Sequence, residues 1–235
     1  MKVVVTGAAG KLGGITCREL RAAGYDVTGL DQVADPDRSN PIRMLNLLDA
    51  SAVKTASAGV EAVVHLANHP TAYGRVAQTV FNENTAMNFN VFEAARLAGV
   101  RRVVFASSVQ AFRSERRLRD GAPSRLPRLP LDGDIPASPT NPYGLSKMIG
   151  EDLLRYFAED HSMTAVSLRL PSLLPKPPAV ADGAPRPDTF LDECFTWLTF
   201  ADAARCIRAV LATPLKGCRC YFPASPRPSA AGTVE

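Results

Sequence analysis

The first 24 residues constrain the fold more than any other part of the chain. Lys2–Thr6 is a short run rich in β-branched residues, which is typical of a buried strand. Glycines follow at positions 7, 10 and 13, and Lys11–Ala23 then has apolar residues at helical spacing up to Gly24. A glycine turn lets the backbone approach an anion, and the N-terminus of the next helix presents free N–H groups and a positive dipole end. The segment therefore predicts a loop that binds a pyrophosphate.

The rest of the chain alternates predicted strands and helices, which implies a parallel sheet with right-handed crossovers and helices on both faces. The predicted fold class is α/β: a Rossmann-like doubly wound parallel sheet with a reduced C-terminal substrate-binding portion. The further predicted strands are Asp26–Leu30, Ile42–Leu45, Ala62–Leu66, Arg102–Ala106, Thr164–Leu170 and Arg219–Phe222. The further predicted helices are one that Asp49 caps and that ends near Ser57, then Asn84–Ala98, Pro142–Glu159 and Phe200–Leu211.

The same pattern suggests how the chain is divided. Residues 1–170 are expected to form a dinucleotide-binding domain that carries the site, and residues 171–222 a small substrate-binding portion that completes the fold. Residues 223–235 are rich in proline, alanine and serine and are expected to be a flexible tail. Two proline-rich stretches, 113–141 and 171–192, interrupt the alternation, and long loops of this kind are usually functional or disordered.

Composition disfavours several other classes of protein. The 5 cysteines are too few and too scattered for a disulfide scaffold, and the 3 histidines form no metal-binding cluster, so we expect no metal. No apolar run reaches the ~20 residues that span a bilayer, and the first apolar stretch is too short for a signal peptide. We therefore expect a cytoplasmic protein without a membrane partner. Basic residues gather in a proline-containing loop without interleaved aromatics, which argues against a nucleic-acid partner.

An acidic residue after the second predicted strand indicates which dinucleotide is bound. Asp31 follows the glycines by about 20 residues, where a carboxylate accepts hydrogen bonds from both ribose hydroxyls and repels a 2′-phosphate. This favours NAD over NADP. Arg38 lies close enough in sequence to keep NADP as the less favoured alternative.

Four further segments, taken with the glycine pattern, resemble the extended short-chain dehydrogenases, including the NAD-dependent epimerase/dehydratase enzymes. These are VVHLAN at 63–68, ENTAMNFNVFEAAR at 83–96, VVFASSVQAF at 103–112 and NPYGLSK at 141–147. The resemblance runs in order over residues 1–172 and implies NAD as cofactor. The cofactor contacts it implies are Gly7, Ala9, Gly10, Lys11, Leu12, Gly13, Asp31, Asn46, Leu47, Leu66, Ala67, Tyr143 and Lys147.

Asn46 departs from the family pattern, and His65 has more than one possible role. Asn46 replaces the acid that the family usually places beside the adenine, and an amide can still hydrogen-bond that base. His65 belongs to a strand motif of the family, and we interpret it as a packed strand histidine rather than a base.

The expected catalytic residues are Ser108, Tyr143, Lys147 and Asn84. Tyr143 and Lys147 are four residues apart on a predicted helix and so face the same way. The pKa of a free tyrosine, ~10, must fall by ~3 units for Tyr143 to act as a base near neutrality. A neighbouring ammonium and the positive nicotinamide ring both favour the phenolate. The resemblance makes Ser108 the hydroxyl that bonds the reacting oxygen, with Ser107 as the alternative. It makes Asn84 a support of the active-site network, with helix capping as the alternative.

The C-terminal segments at 195–211 and 215–225 resemble the compact uronate dehydrogenases, which oxidise a free hexuronate at C1 to its lactone. The resemblance implies that Ser108 and Ser172 bind the substrate. Val109 and Gln110 replace the residues that follow the catalytic serine in that subgroup, and the full expected substrate-binding set is Ser108, Val109, Gln110, Ser172 and Arg186. Arg186 is the only arginine in the loop where the subgroup places a carboxylate-binding arginine.

We therefore expect an NAD-dependent dehydrogenase of a free sugar or sugar acid. One alternative is an NAD-dependent sugar epimerase or dehydratase, because the stretch 129–147 resembles the epimerases. The other is a non-catalytic NAD(P)-binding regulator, against which the intact Tyr143–Lys147 pair argues.

Two further expectations concern association and charge. The resemblance implies a homodimer in which the helices Asn84–Ala98 and Pro142–Glu159 pair across a two-fold axis; ordinary packing on the sheet is the alternative. The arginines of the segment after Ser108 would steer an anionic substrate inward, with a solvated insertion as the alternative. They are Arg113, Arg116, Arg117 and Arg119.

Overall fold

The computed structural model describes residues 1–34, 41–71, 73–112, 132–159, 163–177 and 197–224. The arginines just named, Arg38 and Arg186 lie outside these residues, as does most of the expected tail. The described strands are β1 (Lys2–Thr6), β2 (Asp26–Asp31), β3 (Ile42–Met44), β4 (Ala62–His65), β5 (Arg102–Ser108), β6 (Thr164–Leu170), β7 (Ser172–Leu174), β8 (Trp197–Thr199) and β9 (Cys218–Tyr221). The described helices are α1 (Lys11–Ala22), α2 (Ala50–Ala56), α3 (Ala77–Leu97), α4 (Pro142–Glu159) and α5 (Phe200–Ala212), with a 3₁₀ turn at Val109–Ala111.

Seven of the described strands form one sheet in the order β3–β2–β1–β4–β5–β6–β9, and every adjacent pair is parallel. The chain moves outward from β1 in one direction through β2 and β3, and in the other through β4, β5 and β6. The strand order therefore reverses between β1 and β4, which is where a doubly wound sheet opens a crevice for ligands. The predicted fold class is confirmed.

Helices cover both faces of this sheet. On one face, apolar residues of α2, α3 and α4 pack with side chains such as Val63 and Phe105. On the other face, α1 and α5 pack with the alternate side chains, such as Val64 and Val104. Both faces of the central strands are thus removed from water, which explains why these strands read as continuous apolar runs.

The helix α3 differs from the prediction because it begins at Ala77 and not at Asn84. Its buried face carries Val80, Asn84, Asn88 and Phe92, four residues apart throughout. Two buried amides in that row interrupt the apolar periodicity from which the helix was predicted. Asn84 lies well inside the helix, so the alternative that it caps the N-terminus is wrong.

Two smaller differences lie near the site. The strand β5 continues past Ala106 to Ser108, which pairs with Leu170 of β6. The strands β7 and β8 form a separate parallel pair that was not predicted, with Ser172 opposite Trp197. Within the expected C-terminal portion, β9 pairs with β6 and so extends the main sheet.

The predicted cap at Asp49 is confirmed, since its carboxylate accepts from the amides of Ser51 and Ala52.

Candidate active site

A cavity of about 800 Å³ opens at the carboxyl ends of the central strands, within the ~300–1,000 Å³ typical of cofactor sites. Most of the sequence-predicted site residues line it. From the cofactor set these are Gly7, Gly10, Lys11, Leu12, Gly13, Asp31, Asn46, Leu47, Leu66 and Ala67. From the catalytic and substrate sets they are Ser108, Val109, Gln110, Tyr143, Lys147 and Ser172.

The glycine loop has the geometry of an anion-binding turn. Gly7 has φ +71°, a conformation that favours glycine, and a Cβ on Gly13 would lie 2.0 Å from the carbonyl oxygen of Gly7. Gly10 stands at the N-cap of α1 without a side chain that caps the helix, and the first turn holds no acid. The N-terminal amides of α1 therefore face the cavity without a competing carboxylate, which fits the pyrophosphate of NAD.

Asp31 joins the end of β2 to the glycine loop. One carboxylate oxygen accepts from the amide of Ala9 at 3.0 Å and the other from the amide of Gln32 at 2.8 Å. Ala9 itself is not among the residues that line the cavity, and its amide donates to Asp31. The carboxylate thus reaches the cavity while it holds the loop that precedes α1.

The remaining residues of the expected cofactor set contribute backbone and apolar surface to the cavity. Leu47 is buried in the core, and its carbonyl accepts from Asn90. Asn46 uses its side-chain oxygen to bond the amide of Leu48. The amides of Leu66 and Ala67 both donate to the hydroxyl of Thr6, at 3.2 Å each.

Tyr143 and Ser108 meet inside the cavity. Burial raises the pKa of Tyr143 to about 12, and a hydrogen bond with the Ser108 side chain lowers it in part. Ser107 points elsewhere, since its hydroxyl donates to Glu151 at 2.5 Å. Of the two serines considered from the sequence, it is therefore Ser108 that contacts the tyrosine.

Lys147 lies one helical turn after Tyr143, as the spacing predicts. Its ammonium donates to the side-chain oxygen of Asn68 and to the carbonyl of Ala106, both at 2.7 Å. It also lies 4.9 Å from the centre of the Phe105 ring. Burial lowers the pKa of Lys147 to about 7, against the opposing effect of Glu151.

The depressed tyrosine pKa expected from the sequence is not produced by the protein's own groups. The Tyr143 phenol is buried, and burial disfavours the charged phenolate more than the bond from Ser108 favours it. Two of the three N–H groups of Lys147 are directed at Asn68 and Ala106. The sequence argument left out the burial of the tyrosine, and the expected contribution of the positive nicotinamide ring stays a prediction.

The side chain of Asn84 bonds His69 and Ser146 rather than the side chains of the other expected catalytic residues. Its amide donates to the Ser146 hydroxyl at 3.0 Å, and its carbonyl oxygen accepts from the amide of His69 at 2.7 Å. Ser146 in turn donates to the carbonyl of Tyr143 at 2.7 Å. Asn84 therefore connects α3 to the helix that carries Tyr143.

Three contacts at the cavity were missed by the sequence analysis. Asn68 bonds Lys147, as described above. His69 pairs with Glu83 at 2.6 Å, and both line the cavity. Asn141 donates to Gln110 at 2.8 Å and also accepts from the amide of Gly144 in the first turn of α4. The signal for Asn68 was a polar residue just after a buried strand, the same signal that identified Asp31.

The model of the NAD dependent epimerase/dehydratase family matches residues 3–192. The chain belongs to this family. It is 30% identical over 234 residues to the uronate dehydrogenase of Pseudomonas putida, covering 95% of this chain and 76% of that enzyme. It is 31% identical over 171 residues to the UDP-glucose 4-epimerase of Bacillus subtilis, covering 66% of this chain and 47% of the epimerase.

This member of the epimerase/dehydratase family is also similar in structure to a solved uronate dehydrogenase. The crystal structure of a variant uronate dehydrogenase from Agrobacterium tumefaciens, complexed with NAD, superposes with a TM-score of 0.73. The two chains are 27% identical, and the match covers 95% of this chain and 77% of the other. The expectations of family, fold, enzymatic nature and NAD as cofactor are confirmed.

Two absences concern only the described ranges. No helix there is long and apolar enough to cross a bilayer. The same ranges contain no group of three or more metal-ligating side chains.

Proposed function

We propose that the protein oxidises C1 of a free sugar or sugar acid with NAD, using Tyr143 as the general base. The observation that carries the proposal is that Ser108, Tyr143 and Lys147 line the same cavity as the glycine loop. That arrangement puts a proton acceptor beside the place where a hydroxyl must lose its proton as its carbon loses hydride.

Each residue of the set has a distinct task. Ser108 bonds the reacting oxygen and holds it against Tyr143, which removes the hydroxyl proton. Lys147 places a positive charge next to the phenol and binds the nicotinamide ribose. NAD, when bound, supplies the hydride acceptor and a positive ring that favours the phenolate. Loss of hydride from C1 and of the proton from O1 converts a cyclic hemiacetal into a lactone.

The extent of the similarity favours a dehydrogenase over the second candidate, an epimerase. Sequence similarity to the uronate dehydrogenase of Pseudomonas putida covers 95% of the chain, whereas similarity to the UDP-glucose 4-epimerases of Bacillus subtilis and Azospirillum brasilense covers 66% and 79%. Ser172, Val109 and Gln110 line the cavity beside Ser108, where they can contact a sugar. A non-catalytic regulator would have no need of the contact between Tyr143 and Ser108.

Formation of NADH tests the proposal. Free aldoses, uronates and UDP-sugars are supplied separately with NAD to the wild type and to Tyr143→Phe. We expect NADH with at least one free sugar or uronate, and a turnover at least ~10²-fold lower in the variant, on the usual contribution of a general base. Interconversion of UDP-sugars without net NADH would identify an epimerase instead. If neither the free sugars and uronates nor the UDP-sugars are converted, the non-catalytic NAD(P)-binding regulator is the remaining candidate.

The proposal also includes the state and location of the protein. Aromatic side chains stand exposed on the two helices expected to pair, Phe89 on α3 and Tyr156 on α4. A two-fold arrangement of a second copy would cover them, so we infer a homodimer, which light scattering at micromolar concentration tests.

Four cysteines among the described residues are free thiols, which fits a reducing cytoplasm. We keep residues 171–222 as the substrate-binding portion.

A further inference from the structure

A chain of hydrogen bonds runs from Lys147 into the core beneath the cavity. The ammonium donates to Oδ1 of Asn68 at 2.7 Å, and Nδ2 of Asn68 donates to Oδ1 of Asn88 at 3.1 Å. The same oxygen of Asn88 lies 2.9 Å from Nε2 of His65. On its other side, Nδ1 of His65 lies 2.7 Å from the hydroxyl of Thr6.

The direction of every bond in this chain follows from its two ends. An ammonium can only donate, so Asn68 must present its oxygen to Lys147 and its amide nitrogen to Asn88. At the other end, the Thr6 oxygen accepts from the amides of Leu66 and Ala67, so its own proton is directed to His65. The ring of His65 therefore accepts at Nδ1 and donates from Nε2.

The ring can play this role because it stays uncharged. Burial lowers the pKa of His65 to about 3, and the nearby charge of Lys147 adds to that effect. The ring also stacks on Phe105 at 5.7 Å between centres, which fixes its plane. A neutral ring with one donor and one acceptor is what the two neighbours require.

The orientation of Asn88 has a cost that the chain of bonds explains. Among the described residues, Nδ2 of Asn88 is buried without a hydrogen-bond partner. Rotating the amide would satisfy nothing better, because it would direct an N–H group at two other donors, on Asn68 and His65. A buried unsatisfied group of this kind calls for a reason. Here the reason is that the Asn88 oxygen must accept twice.

We propose that Asn68 is a positioning residue for Lys147, and that Asn88, His65 and Thr6 fix the direction in which the Asn68 amide faces. Asn68 is half-buried in the loop that follows β4 and lines the cavity, so the lysine on α4 is contacted by a residue from a different part of the fold. Its oxygen holds the ammonium in place and stabilises the charged form. The inference rests on the proposed role of Lys147 only for its effect on turnover.

The charged and titratable groups around the ammonium are few among the described residues. On its own helix they are Tyr143 and Glu151, and on β4 there is the neutral His65. The strand β5 contributes the uncharged carbonyl of Ala106 and the Phe105 ring. Asn68 is thus one of two neutral groups that accept a hydrogen bond from the Lys147 ammonium, so its replacement should change the pKa of Lys147 directly.

The test measures the titration of Lys147 by NMR in protein carrying ¹³Cε-labelled lysine. The chain has six lysines, and the Lys147 signal is identified by its loss in Lys147→Arg. The variants are Asn68→Leu, which removes the acceptor at similar size, and Asn68→Asp, which keeps an acceptor and adds a negative charge. Matched controls are Asn82→Leu and Asn82→Asp, at an exposed position of α3 outside the cavity lining.

We expect shifts of opposite sign. The pKa of Lys147, about 7 in the wild type, should fall by about one unit in Asn68→Leu and rise by about one unit in Asn68→Asp. Both Asn82 variants should titrate like the wild type. If Asn68→Leu does not fold, a rise in Asn68→Asp still supports the inference. An unchanged lysine in both Asn68 variants, or shifts of the same sign, would overturn it.

The titration needs neither substrate nor turnover. A protein that forms no NADH but shows the opposite shifts would reject the proposed dehydrogenase and keep this inference. An active enzyme in which the pKa of Lys147 is the same in the wild type and in both Asn68 variants would keep the proposed dehydrogenase and reject this inference.

Discussion

Gly13 in the first turn of α1 packs against the carbonyl of Gly7, so closely that a Cβ on Gly13 would lie 2.0 Å from that oxygen. A methyl group there cannot be accommodated without moving the turn, because the obstacle is backbone. By contrast, a Cβ on Gly10 would lie 3.2 Å from the same oxygen. The two glycines therefore differ in how strictly the cofactor loop needs them.

The first prediction is that Gly13→Ala lowers the melting temperature by several degrees and weakens NAD binding more than ~10-fold, while Gly10→Ala has smaller effects on both. Displacement of the Gly7 turn moves the amides that face the pyrophosphate, so binding falls with stability. Thermal unfolding and calorimetry with NAD measure the two quantities. Wild-type values for Gly13→Ala would show that the close contact is not needed.

A second prediction concerns cofactor choice. Asp31 reaches the cavity, where its charge repels a 2′-phosphate, so the wild type should bind NAD more tightly than NADP. Asp31→Asn keeps an acceptor for the Ala9 amide and loses the charge, whereas Asp31→Ala loses both. We expect both variants to narrow the preference and only Asp31→Ala to lose stability. Calorimetry on both cofactors decides, and equal affinity for NAD and NADP in the wild type would refute the assignment.

The third prediction separates the two adjacent serines of β5. Ser108→Ala removes the hydroxyl that bonds Tyr143 and should lower turnover by ~10²-fold, with a loss of about 1 kcal/mol of stability because the same oxygen accepts from the Gln110 amide. Ser107→Ala leaves Glu151 without one partner and should instead lower the free energy of unfolding by about 1–3 kcal/mol. Steady-state kinetics and urea unfolding on both variants supply the comparison. The assignment of Ser108 is wrong if the two variants lose turnover equally.

A fourth prediction follows from His65, whose pKa of about 3 lies below its ordinary value of 6.5. Between those values the unfolded chain binds a proton that the folded protein does not, so stability falls as the pH falls below 6.5. The slope from this residue grows as the pH falls and approaches about 1.4 kcal/mol per pH unit well below 6.5. Urea unfolding between pH 6.5 and 5 should show it in the wild type and in His69→Gln, and not in His65→Asn. An equal slope in His65→Asn would assign it to other groups.

Much of this molecule could be predicted from sequence because the signals were local. Strand, glycine turn and helix at the N-terminus depend on neighbouring residues, and so does the spacing of Tyr143 and Lys147. The start of α3 was missed because Asn84 and Asn88 occupy its buried face, and only the tertiary structure reveals what those amides bond. The effect of burial on the pKa of Tyr143 was missed for a similar reason, since burial depends on parts of the chain far away in sequence.

The network beneath the cavity could not have been predicted at all. Thr6, His65 and Asn88 come from β1, β4 and α3, Asn68 comes from the loop after β4, and the four meet only when the sheet forms. His65 was interpreted as a packed strand histidine, and it is packed. Its ring also accepts a hydrogen bond from Thr6 and donates one to Asn88.

The most direct test of the central claim follows the hydride itself. Once a turnover substrate is known from NADH formation, it is prepared with deuterium at C1 and, separately, at C4. The account predicts that deuterium from C1 appears in the reduced cofactor, that the product is the lactone, and that Tyr143→Phe slows this transfer at least ~10²-fold. Deuterium leaving C4 and returning to the sugar without release of NADH would contradict it.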